Sequence, residues 1–344
     1  MKNVLLSGNE AIARGAFEAG VKVGAGYPGT PSTEILENLV DYPGVSVEWS
    51  VNEKVAFEVG IGASLAGART LVTMKHVGVN VAADPLFTAS YVGVKGGLVI
   101  VSADDPDMHS SQNEQDNRHY AASAKVPLLE PADSREAKEF TRYAFELSET
   151  YDTPVILRTT TRISHAKSIA VEEEPQKNVP GTGFERNRQK YVMIPAYARL
   201  RHVEVEKRMA RLAEEGNRLP INKTELLETD IGFITSGICY TYVKEAFPGK
   251  SVLKLGLTNP LPEKLIREFC SRVKKVYVVE ELDPFLEMRI KAMGLAVEGK
   301  SLFPLLGELN PDRIRAAFNL PLGTSAASSG MKIPPRPPSL CPGC

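Results

Sequence analysis

This chain of 344 residues has four cysteines, one tryptophan and a net charge near zero, and it has no long apolar run. Four cysteines are too few for a disulfide framework in a protein this long. A net charge of −1 gives no electrostatic reason to expect nucleic acid or a membrane surface as a partner. No apolar run approaches the roughly 18 residues of a membrane span, and the N-terminal apolar stretch is too short for a signal peptide. We therefore expect a cytoplasmic protein.

Several common catalytic and metal motifs are absent as well. The sequence has no Walker loop, no GxSxG elbow and no HExxH pair, and its five histidines lack metal-ligand spacing. Cys239 and Cys270 lie in apolar patterns, which predicts buried thiols. The familiar templates for nucleotide hydrolysis, serine hydrolysis and zinc proteolysis therefore do not apply.

The order of helical and strand patterns predicts an α/β protein with two domains. Over residues 1–170 the two patterns alternate with short connections, which is typical of a parallel sheet with helices on both faces. Residues 171–229 are polar and include a strongly charged helix, which we interpret as a crossover lying on a surface. Residues 230–315 resume the alternation and predict a smaller α/β domain with about three parallel strands. Residues 316–344 read as a proline-rich linker that ends in CPGC.

The stretch 45–73, VSVEWSVNEKVAFEVGIGASLAGARTLVT, is the most informative segment. It predicts a strand, a turn, a helix over 52–67 rich in small residues, and a second strand. Glu53 lies between the first strand and the helix, at the carboxyl end of the strand, where open α/β sheets bind ligands. A helix N-terminal acid is also favoured by the helix dipole alone, so the pattern leaves a purely structural role open.

Three further strand-end loops are predicted to meet at the same sheet edge. GAGYPGTPST (24–33) joins a strand to a helix that we expect to be opened by Pro31, and its glycines permit close approach of a ligand. MKHVGVN (74–80) ends the next strand and precedes a helix predicted around 78–92. The stretch 103–119, ADDPDMHSSQNEQDNRH, is longer and more polar than an ordinary connection. Each loop also has an ordinary alternative as a turn, a structural histidine or a solvated surface.

The final CPGC has the spacing of a zinc or iron–sulfur knuckle. Such a site needs four ligands, and the other two cysteines lie about 70 and 100 residues upstream in apolar segments. The residues of this chain by themselves therefore do not predict a complete metal site.

Taken together, several long strings resemble one enzyme family. They are YPGTPST, NEKVAFEVGIGASLAG, MKHVGVNVAADPL, GGLVIVSADDPDMHSSQNEQDNR and the final RPPSLCPGC, in that order along nearly the whole chain. The chain is similar to the 2-oxoacid:ferredoxin oxidoreductases, and among them to the α subunits of enzymes that act on indolepyruvate. The resemblance implies oxidative decarboxylation of an arylpyruvate with thiamine diphosphate and Mg2+, electron transfer to ferredoxin through [4Fe-4S] clusters, and formation of an acyl-CoA from coenzyme A.

The resemblance also implies a fold and a set of site residues. Residues 1–170 would be the pyrimidine-binding domain of a thiamine enzyme, and 230–315 a transketolase C-terminal-like domain. Glu53 would bind the N1′ atom of the aminopyrimidine ring and share a proton with it, which makes it the catalytic residue. The remaining assignments are substrate contacts at Thr30, His76, Gln112 and Asn113, cofactor contacts at Gly29 and Asn80, and cluster ligands at Cys341 and Cys344 in a complete assembly.

One departure from the family pattern is clear. The diphosphate and its magnesium are usually held by a GDG-type motif in a separate domain, and the sequence contains no GDG. We therefore expect the chain to be the N-terminal portion of such a subunit, inactive alone. Its partners would be a β subunit, ferredoxin and a thiamine-diphosphate-binding domain in cis or in trans, in a hetero-oligomer. The alternatives are the same chemistry on pyruvate, 2-oxoglutarate or a branched-chain 2-oxoacid, or a non-catalytic scaffold.

Overall fold

The computed structural model describes residues 2–176 and 183–323. The strands are β1 (Lys2–Ser7), β2 (Val23–Gly26), β3 (Ser46–Trp49), β4 (Thr70–Lys75), β5 (Leu98–Asp104), β6 (Leu128–Leu129), β7 (Val155–Thr160), β8 (Lys167–Glu172), β9 (Lys223–Glu225), β10 (Glu228–Ser236), β11 (Lys250–Leu255), β12 (Leu257–Asn259) and β13 (Lys275–Val279). The helices of the first half are α1 (Gly8–Glu18), α2 (Thr33–Leu39), α3 (Glu53–Leu65), α4 (His76–Val81), α5 (Ala83–Val92), α6 (Arg118–Ala124), α7 (Ser134–Tyr151) and α8 (Thr161–His165). Those of the second half are α9 (Arg188–Tyr191), α10 (Pro195–Gly216), α11 (Cys239–Ala246), α12 (Glu263–Arg272), α13 (Phe285–Ala292) and α14 (Pro311–Ala317).

A seven-stranded sheet with the order β12-β6-β7-β5-β4-β2-β3 forms the centre of the first half. Strands β2 to β7 are mutually parallel, as the alternating pattern predicted. The central strands β4, β5 and β7 are buried along their whole length, because helices cover both faces. One apolar core lies under α1, α2 and α7, and a second lies under α3, α4, α5 and α6.

A second, four-stranded sheet has the order β13-β10-β11-β9. Its strands β10, β11 and β13 are parallel, which confirms the predicted three-stranded α/β unit, and β9 adds an antiparallel edge. The charged helix α10 lies on the surface of the first sheet's helices, where buried Arg208 donates to the carbonyl oxygens of Ser90 and Asp152. The charged helix therefore lies on the outside of the first α/β unit.

Some features of the fold were not predicted. Strand β12 comes from the second half of the chain and pairs antiparallel with β6, so it extends the first sheet. Strands β1 and β8 form a separate two-stranded antiparallel ribbon. Both arrangements depend on pairing between distant segments, for which a local pattern carries no signal.

Three local predictions were wrong. The helix expected around 78–92 is two helices, α4 and α5, which meet at Ala82. Pro31 does not open α2, because Ser32 is the N-cap and Pro31 precedes it. Cys239 is buried as predicted, but Cys270 is only partly buried. Over the described residues, no helix combines the length and apolarity that crossing a membrane requires.

Candidate functional site

The carboxyl ends of four neighbouring parallel strands meet at one edge of the first sheet. In the register of the sheet, Gly26 at the end of β2 pairs with Trp49 of β3 and Thr73 of β4. Lys75, at the end of β4, pairs with Ala103 of β5. The segments that follow these strands therefore lie side by side: 27–32, the start of α3, α4, and the polar loop 105–117. This is the edge where the sequence placed its candidate residues.

Glu53 begins α3 and is partly buried. The helix starts there because Asn52 is the N-cap, its side-chain oxygen accepting from the Val55 N–H at 2.9 Å. The Glu53 carboxylate lies against Gly78 of α4, where an added Cβ would approach Glu53 Oε1 to 2.6 Å. Within residues 2–176 and 183–323, the carboxylate has no hydrogen-bond or ion-pair partner. Gly78 thus leaves room for the Glu53 carboxylate, which packs against α4 without a hydrogen-bond or ion-pair partner among the described residues.

The small residues of α3 have two different roles. Gly60 faces the sheet, and an added Cβ would lie 2.5 Å from Val72 Cγ2 of β4. Gly62 faces outward, with nothing within 4 Å of an added Cβ. Gly60 therefore lets α3 pack closely on the protein's own sheet.

Lys75 and the turn containing Gly29 and Thr30 are packed together. The Lys75 side chain is buried, and an added Cβ on Gly29 would lie 3.0 Å from Lys75 Cβ. Lys75 Nζ donates to the Ser110 carbonyl oxygen at 2.5 Å, which ties the turn to the polar loop. Ser110 Oγ in turn lies 3.5 Å from the Thr30 carbonyl oxygen. Thr30 and Gly29 are thus brought to the same place as the polar loop.

His76 is completely buried beneath the polar loop. Its Nε2 lies 3.1 Å from the Asn113 carbonyl oxygen, and donation to that oxygen leaves Nδ1 as an acceptor with no partner in the described structure. The structure brings His76 and Asn113 together through the main chain of Asn113. The Gln112 side chain is exposed and lies on the outside of the loop.

A network of amide side chains joins α4 to the polar loop. The carboxamides of Asn80 and Gln115 pair with each other through two hydrogen bonds of 2.9 Å. Gln115 and Asn117 also donate to the His76 carbonyl oxygen, each at 3.0 Å. Sequence reasoning identified Asn80 but missed Gln115 and Asn117; the only signal for them was the unusual content of amides in the loop.

Buried ion pairs connect the polar loop to the second α/β unit. Arg118 donates to Asp116 and to Glu280 Oε2, the latter at 2.6 Å.

A second buried arginine pairs with carboxylates of the first unit. Arg158 donates to Asp104 Oδ2 at 2.7 Å and to Glu130 Oε1. Although burial opposes ionisation, Arg118 and Arg158 hold the pKa of Asp116 well below its usual range. Burial raises the pKa of Asp104 despite its arginine partner.

One group of metal-ligating atoms occurs among the described residues. Asp116, His119 and Asp283 place one ligand atom each within 4.8 Å of one another. Arg118 already donates to both Asp116 oxygens, so this carboxylate is neutralised by a guanidinium rather than free for a metal ion. Cys341 and Cys344, the predicted cluster ligands, lie outside the described residues.

The site fits one half of thiamine diphosphate. A partly buried carboxylate without a partner, at the start of a helix, can accept a hydrogen bond from a heterocyclic nitrogen or share a proton with it. The described strand-end loops, in contrast, present no glycine–acid–glycine segment for a diphosphate and its metal ion. The chemistry of the donor set therefore suits the aminopyrimidine end of the cofactor.

Comparison with solved structures agrees with this fold. In structure, the chain is similar to a 2-oxoglutarate:ferredoxin oxidoreductase from Magnetococcus marinus, solved with 2-oxoglutarate, coenzyme A and succinyl-CoA bound (TM-score 0.77, 17% identity, 92% of this chain and 65% of that chain). It is also similar to a split-gene transketolase described as an inactive β4 tetramer (TM-score 0.59, 14% identity, 91% of this chain and 97% of that chain). The chain therefore shares its α/β fold with these two proteins.

The sequence comparison identifies the family. Residues 14–202, more than half of the chain, match the thiamine diphosphate-binding domain of the pyruvate flavodoxin/ferredoxin oxidoreductases, and the chain belongs to this family.

Comparison with individual proteins adds three relatives. The indolepyruvate oxidoreductase subunits IorA of Archaeoglobus fulgidus and Pyrococcus horikoshii are 47% and 42% identical over 100% of this chain. The 2-oxoglutarate synthase subunit KorA of A. fulgidus is 25% identical over 81% of this chain and 88% of its own length. The chain spans only 59% and 58% of the length of the two IorA relatives.

Proposed function

We propose that this chain supplies the pyrimidine-binding half of a thiamine-diphosphate-dependent indolepyruvate:ferredoxin oxidoreductase. The observation that carries the proposal is the Glu53 carboxylate, which is seated against Gly78 at the sheet edge and has no partner among the described residues. The substrate assignment is supported by the IorA relatives, which are far closer in sequence than the KorA relative. The domain limits we propose are 1–170, 171–229, 230–315 and 316–344.

The role of Glu53 follows from its position. When bound, thiamine diphosphate supplies a carbon nucleophile that attacks the keto carbon of a 2-oxoacid. Glu53 would accept or share a proton at N1′ of the aminopyrimidine ring and so hold the ring in the tautomer that the reaction needs. Because Gly78 has no side chain, the carboxylate packs directly against α4, and no hydrogen bond from the described residues competes for it. Gly29, on the turn that packs against Lys75, and Asn80 of α4 are the further cofactor contacts that we propose from the family resemblance.

The loops around Glu53 would form the substrate site. Thr30 lies on the turn that packs on Lys75, and its hydroxyl could donate to the carboxylate or keto oxygen of a 2-oxoacid. His76 supports the loop through Asn113, and the unpaired Nδ1 could accept one hydrogen bond from a ligand after a movement of the loop. Gln112, exposed at the loop surface, would meet the substrate as the site is covered.

The partner would bind around Glu53. Large apolar side chains are exposed at the end of β3, before and within α3, and at the end of α4: Trp49, Val51, Val59 and Val81. Exposed apolar surface of this kind marks a protein contact. A domain that holds the diphosphate and Mg2+ would cover this surface and bring the rest of the cofactor to Glu53. In the whole enzyme we further propose a β subunit, ferredoxin as electron acceptor, [4Fe-4S] clusters that include Cys341 and Cys344, and coenzyme A as co-substrate.

Substitution of Glu53 in the enzyme reconstituted with the diphosphate-binding domain tests the proposal. Glu53→Gln should lower the rate of CO2 release from indolepyruvate at least about 100-fold, the lower end of the range for proton transfer by a positioned side chain. It should also slow exchange of the thiamine C2 proton with deuterium, which NMR measures without turnover. Glu58→Gln, at an exposed acid of the same helix, is the matched control and should leave both rates unchanged.

The outcomes separate the alternatives. Rates near wild type for Glu53→Gln would overturn the catalytic assignment. Full activity on another 2-oxoacid with none on indolepyruvate would change the substrate and keep the chemistry. A wild-type chain that forms no complex with a thiamine-diphosphate-binding domain would point to a non-catalytic scaffold.

A further inference from the structure

The polar loop 105–117 leaves β5 through a turn with an unusual backbone. Asp107 and Met108 both have positive φ angles, +68° and +52°, and the Met108 N–H donates to the Asp105 carbonyl oxygen at 3.0 Å. Two successive non-glycine residues in the left-handed region are uncommon, and such a conformation persists only where the surrounding structure determines it. Contacts beyond the turn must therefore hold the loop in place.

The carboxylate of Asp105 makes these contacts. Asp105 is only 1% exposed, and its Oδ2 accepts from the Ser110 N–H at 2.9 Å and from Ser111 Oγ at 2.5 Å. Its Oδ1 accepts from Thr161 Oγ1 at 2.6 Å. One carboxylate thus joins the polar loop to the start of α8.

The register of the sheet places Asp105 beside Thr161. Asp104, the last residue of β5, pairs with Thr160, the last residue of β7, so the next residues leave two neighbouring parallel strands side by side. Although burial raises the pKa of Asp105, its hydrogen bonds bring that pKa below the ordinary value. The group is therefore an ionised acceptor at neutral pH, fixed to the end of the central sheet.

Through Ser110, this carboxylate acts on the candidate site. The Ser110 carbonyl oxygen accepts from Lys75 Nζ at 2.5 Å, and Ser110 Oγ lies 3.5 Å from the carbonyl oxygen of Thr30. The Ser110 N–H is held by Asp105. The position of the polar loop relative to the turn 27–32, which carries Thr30, therefore depends on Asp105.

We propose that Asp105 is a positioning residue for the 2-oxoacid, which holds the polar loop against the turn that carries Thr30. This inference rests on the proposed function, because it takes that turn and the polar loop as the substrate site. Asp105 acts through Ser110 and Ser111 rather than by contact with the substrate, since both of its oxygens are already engaged. Loss of its carboxylate should therefore weaken substrate binding more than it slows the chemistry on thiamine.

Hydrogen exchange of the full chain tests whether Asp105 holds the loop, and it requires no activity. Asp105→Ala removes the acceptor of the Ser110 N–H, and we expect that amide to exchange at least about tenfold faster, as for the loss of one hydrogen bond to a charged group. Ser148→Ala is the matched control. It removes a buried acceptor of the Leu98 N–H, at the opposite end of β5, and should leave the Ser110 rate unchanged.

Steady-state kinetics of the reconstituted enzyme test the effect on the substrate. Asp105→Ala should raise KM for indolepyruvate at least about tenfold and lower kcat less than about threefold. Ser148→Ala should leave KM unchanged, although it also loses a buried hydrogen bond.

A conservative variant tests the geometry rather than the charge. In Asp105→Asn the amide oxygen can accept from Ser110 and Ser111 while the amide N–H donates to the Thr161 hydroxyl, so KM should return to within about threefold of the wild type. Should Asp105→Ala not fold, Thr161→Val removes one of the three hydrogen bonds and should raise KM at least about threefold.

The outcomes distinguish this proposal from the proposed function. Exchange of the thiamine C2 proton without substrate depends on Glu53, and Asp105→Ala should leave its rate unchanged. An unchanged exchange rate in Glu53→Gln would overturn the proposed function, whereas the Ser110 rate would still show whether Asp105 holds the loop. An unchanged Ser110 rate in Asp105→Ala, the same KM as in Ser148→Ala, or slower C2 exchange would each overturn the role of Asp105.

Discussion

The carboxylate of Glu53 and the backbone of Gly78 are in such close contact that no side chain can stand between them. An added Cβ on Gly78 would lie 2.6 Å from both Cγ and Oε1 of Glu53. Glu53 begins one helix and Gly78 lies in the first turn of another, so the contact joins the segments that follow β3 and β4.

This contact predicts the effect of Gly78→Ala. Alanine favours a helix over glycine by about 1 kcal/mol, so any loss of stability must come from the clash with Glu53. We expect the carboxylate to be displaced and CO2 release by the reconstituted enzyme to fall about 100-fold. Gly62→Ala, at an open position of α3, should raise the free energy of unfolding slightly and leave activity unchanged. Unchanged activity in Gly78→Ala would show that the position of Glu53 does not matter.

The buried ion pairs of Arg118 predict a large loss of stability on truncation. Arg118→Ala leaves Asp116 and Glu280 buried without their partner, and we expect a loss of about 3–5 kcal/mol in the free energy of unfolding. Arg162 pairs with Glu308 across the same two units but is largely exposed, so Arg162→Ala should cost no more than about 1 kcal/mol. Urea unfolding of both variants measures the difference. An equal loss in the free energy of unfolding for the two variants would mean that burial does not determine how much these ion pairs contribute to stability.

The raised pKa of Glu281 predicts a dependence of stability on pH. In the folded protein burial raises this pKa to about 7 from an ordinary value of 4.5, so the folded state binds the proton more tightly than the unfolded state. The negative charge of Glu308 also raises the pKa of Glu281, whereas the positive charges of Arg158 and Lys300 lower it.

The stability due to this group is therefore complete below about pH 4.5 and is lost as the pH rises towards 7, by at most about 3 kcal/mol. Urea midpoints measured between pH 5 and 8 should fall for the wild type and change less for Glu281→Gln. A parallel decline in both proteins would assign the effect to another group.

The amide pair between Asn80 and Gln115 predicts an energetic coupling. Its two hydrogen bonds join α4 to the polar loop, and a double-mutant cycle of Asn80→Ala and Gln115→Ala should give a coupling of about 1 kcal/mol. In the reconstituted enzyme, Gln115→Ala should raise KM for the 2-oxoacid more than it lowers kcat, because the loop loses its support. Additive single-variant effects would show that the pair does not hold the loop.

Much of the architecture could be predicted because its signals are local. The alternation of patterns predicted the parallel sheet and the second α/β unit. The capping residues Asn52 and Asp133 begin α3 and α7 through hydrogen bonds within three residues of sequence. The break between α4 and α5 was missed, because each half of that stretch has a helical pattern and the change of direction is decided by packing.

The sequence by itself determined that strand-end loops carrying Glu53, Thr30, His76 and the amides of the polar loop would face one edge of a parallel sheet. That follows from strand order and the uniform direction of parallel strands. Only the tertiary structure decided that Glu53 rests against Gly78, that Gln115 rather than Gln112 supports α4, and that the polar loop is joined to α8. These relationships join segments that are distant along the chain, and their energies depend on burial and contact, which no local pattern contains.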